Sequence, residues 1–253
     1  MDVDVSLPFD RVADRYDASR GGTARGTRMV SGIIDRLAPG RVLEIGVGTG
    51  VIAAALREHG VTTHGVDLSI AMLSRARDRL GPRVVRADAF ALPVASGAVD
   101  NVLFVAALHA IGDAHRAMAE AARVLRPGGR LVAVHGPPRR EPAQDDIADA
   151  MAPLAVLRNA RVDSPATLDD AAAAAGLTPV DTGWLPPHRF GETPAAVADG
   201  ITDRLWSYLW RIDDSTWRSV VEPVIARLRA LPEPGRLRPY ELSYRVAAYA
   251  LTG

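Results

Sequence analysis

The run VLEIGVGTG, residues 42–50, sets three glycines two apart behind a short aliphatic stretch. An aliphatic segment running into so much glycine reads as a buried strand that ends in a backbone loop with no side chains in the way. The following GVIAAALREHG carries apolar residues at helical spacing and stops at Gly60. Strand, glycine loop and helix in that order open a parallel α/β sheet, and such a loop brings amide N–H groups against a ligand at the sheet's carboxyl edge. The dinucleotide fingerprint G-x-G-x-x-G needs its third small residue where Val51 stands, whereas the glycines fall at 46, 48 and 50. A phosphate-binding P-loop needs a lysine, and all thirty basic residues are arginine.

The pattern continues for nearly a hundred residues. VTTHGVDLS predicts a second strand, with Ser69 capping a helix whose Ile70, Leu73, Ala76 and Leu80 share a face. RVVRADAF and AVDNVLFVAAL predict two further strands, Asp113 caps the next helix, and PGG turns into RLVAVHG. Past residue 136, PPRREP reads as a loop and 145–160 as helix. Ser164 and Pro165 open a helix through the alanine run, and LTPVDTGWL reads as a strand. Residues 194–231 read as one or two amphipathic helices holding Trp206, Tyr208, Trp210 and Trp217, with Trp206 and Trp210 on one face, and ELSYRVAAYAL as the closing strand. The expected fold is α/β and doubly wound: a mostly parallel seven-stranded sheet, last strand antiparallel, with helices on both faces.

Composition narrows the function. The charges cancel, thirty against thirty, which gives no footprint for a polyanion or an acidic membrane, so neither nucleic acid nor membrane is expected as a partner. Without cysteine there is no thiolate metal site or thiol catalysis, and without lysine no Schiff base. The acidic start MDVDVSLPFD is unlike a signal peptide, and no apolar run reaches membrane-spanning length. A cytoplasmic protein, monomer or homodimer, is expected.

Ligands of an open parallel sheet bind beyond the carboxyl ends of its strands. There Asp67 ends the second strand, where a carboxylate suits two ribose hydroxyls. Asp88 follows the third strand, where it can accept from an exocyclic amine, and Phe90 can lie on a purine face. Together they suit an adenosine.

These motifs, with VDNVLFVAALHAI and RVLRPGGRLVAV, occur in the order and approximate spacing of the class I S-adenosylmethionine-dependent methyltransferases. The chain most resembles their small-molecule, type 11 or UbiE-like, branch, and FDRVADRYDASRGG is similar to that branch's N-terminal cap. The resemblance is specific over residues 9–135 and holds in outline beyond. It implies S-adenosyl-L-methionine as cofactor, with Glu44, Gly46, Gly48 and Gly50 on its methionine part, Asp67 on the ribose, and Leu68 and Met72 beside the adenine. Asp88 and Ala89 would meet the amine edge, Ala106 would lie under the sulfonium, and Tyr16 and Arg20 would cover the cofactor. It further implies one methyltransferase domain over 1–253, a cofactor-covering arm at 1–25, and helical insertions at 136–164 and 186–235 that cap the acceptor site.

The expected reaction moves the cofactor's methyl to an O, N or C atom of a small molecule, such as a secondary metabolite. His109, after the fourth strand, is placed for a general base; the plainer reading is a residue that shapes the pocket or caps the next helix. Tyr16 is the second catalytic candidate. His109, His135, Trp206 and Trp210 are candidates for acceptor binding, although tryptophans at helical spacing also make ordinary core. No carboxylate cluster marks a metal. Two rival readings stay open: a protein that keeps the cofactor but catalyses a cyclisation or other non-methylating reaction, and an NAD-dependent dehydrogenase, which the glycine spacing disfavours.

Overall fold

The aliphatic run is a strand buried at every position, Val42–Ile45 (β1), and it stands at the centre of a parallel set. Thr63–Asp67 (β2) flanks it on one side, followed by Val84–Arg86 (β3). Val99–Val105 (β4) flanks it on the other, followed by Leu125–Glu141 (β5). The order therefore reverses at β1, between β2 and β4, which is where open parallel sheets take ligands. Leu177–Trp184 (β6) pairs antiparallel with the last strand, Arg238–Leu251 (β8), which also neighbours β5. His188–Glu192 (β7) pairs antiparallel with the start of β8, Arg238 to Leu242.

The computed structural model describes residues 7–142, 145–157 and 162–252. They divide into two compact units. One contains Met1–Pro137, Val162–Pro186 and Tyr244–Gly253, the other Pro138–Arg161 and Pro187–Ser243. The expectation for the acidic segment at residues 1–6, and the end of the helix expected over 145–160, lie outside the described residues.

Alternation along the strands sorts the first unit's core into two faces. Leu43, Ile45, Val66, Val102, Phe104, Leu131 and Ala133 pack toward helices Ala114–Val124 and Pro165–Ala174, whereas Val42, Leu103, Val105, Val132 and Val134 pack toward Gly22–Ile34 and Val51–Glu58. In chain order the helices of this unit are Leu7–Arg20 (α1), Gly22–Ile34 (α2), Val51–Glu58 (α3), Ile70–Leu80 (α4), Leu108–Ile111 (α5) and Ala114–Val124 (α6). The caps stand as expected: Ser69 accepts from Met72 N at 3.1 Å and Asp113 from Arg116 N at 3.0 Å. The second unit begins its helices with Asp146–Met151 (α7); Pro165–Ala174 (α8) returns to the first, its cap Ser164 accepting from Thr167 N. Pro194–Thr202 (α9), Asp214–Thr216 (α10) and Glu222–Ala230 (α11) belong to the second unit, whose core joins Ile147, Val197, Ile201, Leu209, Val224 and Leu228.

Three expectations are revised. The sheet has eight strands, because the short run HRFGE finds a partner about fifty residues further on. PPRREP is not a free loop, since β5 continues to Glu141. The helix reading of 194–231 fails at its middle: α9 stops at Thr202, Arg204 takes φ 53°, and Trp206 is extended at φ −105°, ψ 136°. Trp210 Nε1 donates to Arg204 O at 2.7 Å and Arg204 Nη1 donates to Leu209 O at 2.8 Å, closing a loop instead of a helical turn. Trp206 and Trp210 therefore share no helix face. No helix among the described residues is long and apolar enough to cross a membrane.

Candidate functional site

The loop after β1 is shaped by its glycines. Gly46, Gly48 and Gly50 all take left-handed φ, at 73°, 54° and 79°, and a Cβ on Gly46 would stand 2.6 Å from the Cβ of Ala107. An L side chain at any of the three would strain the turn, and at Gly46 it would also collide with the chain leaving β4. Ala106, the residue just past β4, itself takes φ 50°, uncommon for a residue with a Cβ, and its N–H donates to Val134 O at 2.8 Å. Backbone strain of this kind collects at functional edges.

A cleft lies against this loop. Tyr16 and Arg20 of α1, Arg25 of α2, Glu44 of β1, and Gly46 and Gly48 line it. Glu44 is 2% exposed, and its Oε2 is buried without a hydrogen-bond partner. Burial lifts its carboxyl to about 8; the Arg25 charge and a hydrogen bond from the Ala53 amide pull the other way, and Asp67 adds to the rise. A buried oxygen with nothing to accept from is costly, and a cationic N–H donor entering the cleft is the partner it lacks.

Asp67 closes β2 beside the loop. Its Oδ2 accepts from Gly48 N at 2.8 Å and its Oδ1 from Ser69 N at 2.9 Å. Burial pushes this carboxyl up, against the pull of those amides. Each oxygen keeps a further lone pair for a hydroxyl.

The remaining candidates fall in several places. Leu68 is half-buried beside Asp67, whereas Met72 is 1% exposed and turned into the inner face of α4. Asp88 is exposed after β3 and accepts from Phe90 N at 2.9 Å, which forms a tight turn with Ala89 inside it. The Arg116 guanidinium lies 4.2 Å over the Phe90 ring, so one ring face is already covered. These three residues are not among those lining the cleft. His109 is exposed on the short α5. His135 is buried on β5 with its Nδ1 3.0 Å from Asp163 O, and burial lowers its pKa. Trp206 and Trp210 belong to the second unit, where Trp206 packs on the core containing Val197 and Leu209. Among the described residues no group of three or more histidine, aspartate or glutamate side chains could hold a metal ion.

Sequence reading missed Asp17, Arg25, Thr49 and Arg79. Arg25, Asp17 and Thr49 line the cleft, and Asp17 accepts from Thr49 Oγ1 at 2.5 Å and pairs with Arg79 at 2.6 Å. No local motif marks contacts made across 32 and 62 residues.

Residues 43–133 match the family described as Methyltransferase domain. The demethylmenaquinone methyltransferase of Thermus thermophilus is 37% identical over 142 residues, covering 51% of this chain and 64% of that protein. The ubiquinone/menaquinone biosynthesis C-methyltransferase UbiE of Methylobacterium nodulans is 36% identical over 164 residues, covering 58% of this chain and 64% of its own. The chain therefore spans less than two thirds of the length of these curated relatives. In fold it is similar to a Thermotoga maritima structure described as a SAM-dependent methyltransferase, possible histamine N-methyltransferase. The TM-score is 0.59 at 22% identity, over 96% of this chain and 98% of that one. The reversed strand order, the G-x-G-x-G loop and the carboxylate at the end of β2 agree with these matches: residues 43–133 match a methyltransferase domain, and in sequence the chain is similar to the UbiE-like methyltransferases.

Proposed function

We propose that the chain binds S-adenosyl-L-methionine in the glycine-loop cleft and transfers its methyl group to an O, N or C atom of a small-molecule acceptor. The observation that carries this reading is Glu44 Oε2, buried in the cleft wall with no donor, where an α-ammonium group would supply one. Gly46 and Gly48 border the cleft together with Tyr16 and Arg20, and with Gly50 they are the candidates to hold the methionine part. Asp67 has lone pairs left for ribose hydroxyls. Leu68, Asp88, Ala89 and Phe90 are the candidates for the adenine; Met72 would act from beneath, as packing. Ala106, at the strained end of β4, is the candidate for the floor under the sulfonium.

The cofactor, when bound, supplies an electrophilic methyl carbon. The chain's own task is then to hold an acceptor atom in line at about 3 to 3.5 Å and to accept its proton where it carries one. Tyr16 and His109 are the candidates for proton handling, and His135, Trp206 and Trp210 for acceptor contacts, with the segments 136–164 and 186–235 as the source of acceptor specificity. The name of one relative makes demethylmenaquinone the first acceptor to try, with secondary metabolites the second.

The test has two stages. Thermal shifts with S-adenosylmethionine, S-adenosylhomocysteine and NAD identify the ligand, because a molecule that binds only the folded state raises its stability. Incubation with methyl-labelled cofactor and an acceptor panel then follows the label. Labelled acceptor together with S-adenosylhomocysteine supports transfer, whereas acceptor conversion with intact cofactor supports the cyclisation-type alternative. Stabilisation by NAD alone would overturn the assignment.

A further inference from the structure

Helix α1 carries acidic residues along one edge: Asp10, Asp14 and Asp17, at i, i+4 and i+7. Each meets a different turn of α4. Asp10 Oδ1 accepts from Ser69 Oγ and, at 3.2 Å, from Ala71 N, so its charge lies at the positive end of that helix. Asp14 pairs with Arg75. Asp17 pairs with Arg79 Nη2 at 2.6 Å, while its second oxygen accepts from Thr49 Oγ1 at 2.5 Å, and Arg79 Nη1 donates to Thr49 O at 2.7 Å. Thr49 stands between Gly48 and Gly50, so this innermost rung ties three parts together: α1, α4 and the glycine loop.

The rungs are unequal. The Asp14 and Arg75 side chains are 88% and 40% exposed, and such a pair contributes little. Asp17 and Arg79 are 25% and 26% exposed and share three charge-assisted hydrogen bonds with each other and with Thr49. Apolar burial does not hold α1 by itself. Over residues 9–20 only Val12 and Ala13 are fully buried, little apolar anchorage for a helix that is marginal in isolation. The polar edge therefore decides where α1 sits, and with it Tyr16 and Arg20 on the cleft, ring and guanidinium 5.7 Å apart.

We propose that Asp17, acting through Arg79 and Thr49, is a positioning residue that latches α1 over the cleft and so sets the residence time of the cofactor. The proposal rests on the assignment of the cleft to S-adenosylmethionine. With the latch closed, Tyr16 and Arg20 flank the bound molecule; with it released, α1 leaves the loop and the cleft opens. Salt competes with the rungs, so residence shortens as ionic strength rises.

Two measurements test it. The first is hydrogen–deuterium exchange over residues 9–20 in ligand-free wild type and Asp17→Asn. The second is stopped-flow binding of S-adenosylhomocysteine between about 0.05 and 0.5 M salt, where screening shortens from beyond 10 Å to a few ångströms. Asp17→Asn is expected to speed exchange in α1 while β4 and α6 keep their protection, to raise the dissociation rate about tenfold with association within about threefold, and to flatten its salt dependence. Arg79→Met should behave alike. Asp17→Glu, which keeps the charge, should restore slow dissociation, and Asp14→Asn should change it by less than about twofold. Unchanged α1 exchange in Asp17→Asn, or a dissociation rate that stays slow and salt-sensitive, overturns the latch. Failure of the wild type to bind S-adenosylhomocysteine overturns the cofactor assignment instead, and the exchange measurement then decides the latch alone. Should Asp17→Asn not fold, Arg79→Met, which removes the charge from the other side of the pair, takes its place under the same criteria.

Discussion

Asp67 and Gly48 are joined across the point where the strand order reverses: the carboxylate ending β2 accepts the amide N–H of the loop after β1 at 2.8 Å. The second carboxylate oxygen holds Ser69 N at 2.9 Å, at the start of α4. One side chain thus fixes the glycine loop and the next helix's entry, and still presents lone pairs to a ligand.

Asp67→Ala removes an acceptor from two amides as well as the proposed ribose contact. Affinity for S-adenosylhomocysteine should fall by at least about tenfold by calorimetry, since hydrogen bonds to a charged group are worth roughly 1.5 to 3 kcal/mol. Asp67→Asn keeps one amide acceptor and should fall between. Equal affinity in the alanine variant and the wild type would dispose of the ribose assignment.

Glu44 makes the ligand-free protein pH-sensitive in a definite direction. Its carboxyl, lifted to about 8 by burial, keeps a proton in the folded state that the unfolded chain has already released. Stability should therefore decline as pH rises from the ordinary glutamate range to about 8 and then level off, with a slope of at most about 1.4 kcal/mol per pH unit. Glu44→Gln should abolish this decline in urea titrations across the range. Binding of an ammonium-bearing ligand should ionise the group and release close to one proton at neutral pH. Calorimetry in two buffers of different ionisation enthalpy measures that proton; the same release from Glu44→Gln would assign it elsewhere.

His135 acts in the opposite sense. A carbonyl can only accept, so the contact with Asp163 O puts the proton on Nδ1 and leaves Nε2 as the lone-pair nitrogen. Burial holds the imidazole below its ordinary value, so the folded protein binds fewer protons here than the unfolded chain. Its contribution to stability is complete above about pH 6.5 and is lost as pH falls through the window beneath. His135→Asn keeps a donor for Asp163 O without titrating, and should lessen the acid loss of stability. Nitrogen-15 chemical shifts showing Nε2 protonated would overturn the tautomer.

What the sequence disclosed was local. The glycine loop, Asp67 at a strand end, and the caps Ser69 and Asp113 each follow from a few consecutive residues, and the structure has all of them in place. What it hid depends on distant partners. HRFGE becomes a strand only against Arg238–Leu242, and Asp17 reaches the glycine loop only because α1 folds back onto α4. The tryptophans misled for a different reason. Their spacing of four is helical, but Arg204 adopts a left-handed φ and takes Trp210 Nε1 on its carbonyl, so periodicity survives without the helix that would give it meaning.

Gly26 should be intolerant of a methyl group. It is buried on α2 where that helix crosses α3, and a Cβ there would stand 2.6 Å from Val51 O, 3.0 Å from Val51 Cγ1 and 3.1 Å from Ala55 Cβ. Two effects oppose each other in Gly26→Ala. Helix propensity favours alanine by about 1 kcal/mol. Overpacking costs roughly 1 to 3 kcal/mol, and the nearest atom here is a backbone oxygen at the first residue of α3, which cannot turn aside as a side chain would. The clash should win, giving a net loss of up to about 2 kcal/mol in urea unfolding. The displacement would also move Arg25, the preceding residue on α2 and a wall of the cleft, so S-adenosylhomocysteine affinity should fall with stability. A variant as stable as the wild type, with unchanged affinity, would show that α2 can shift on α3 without disturbing the cleft.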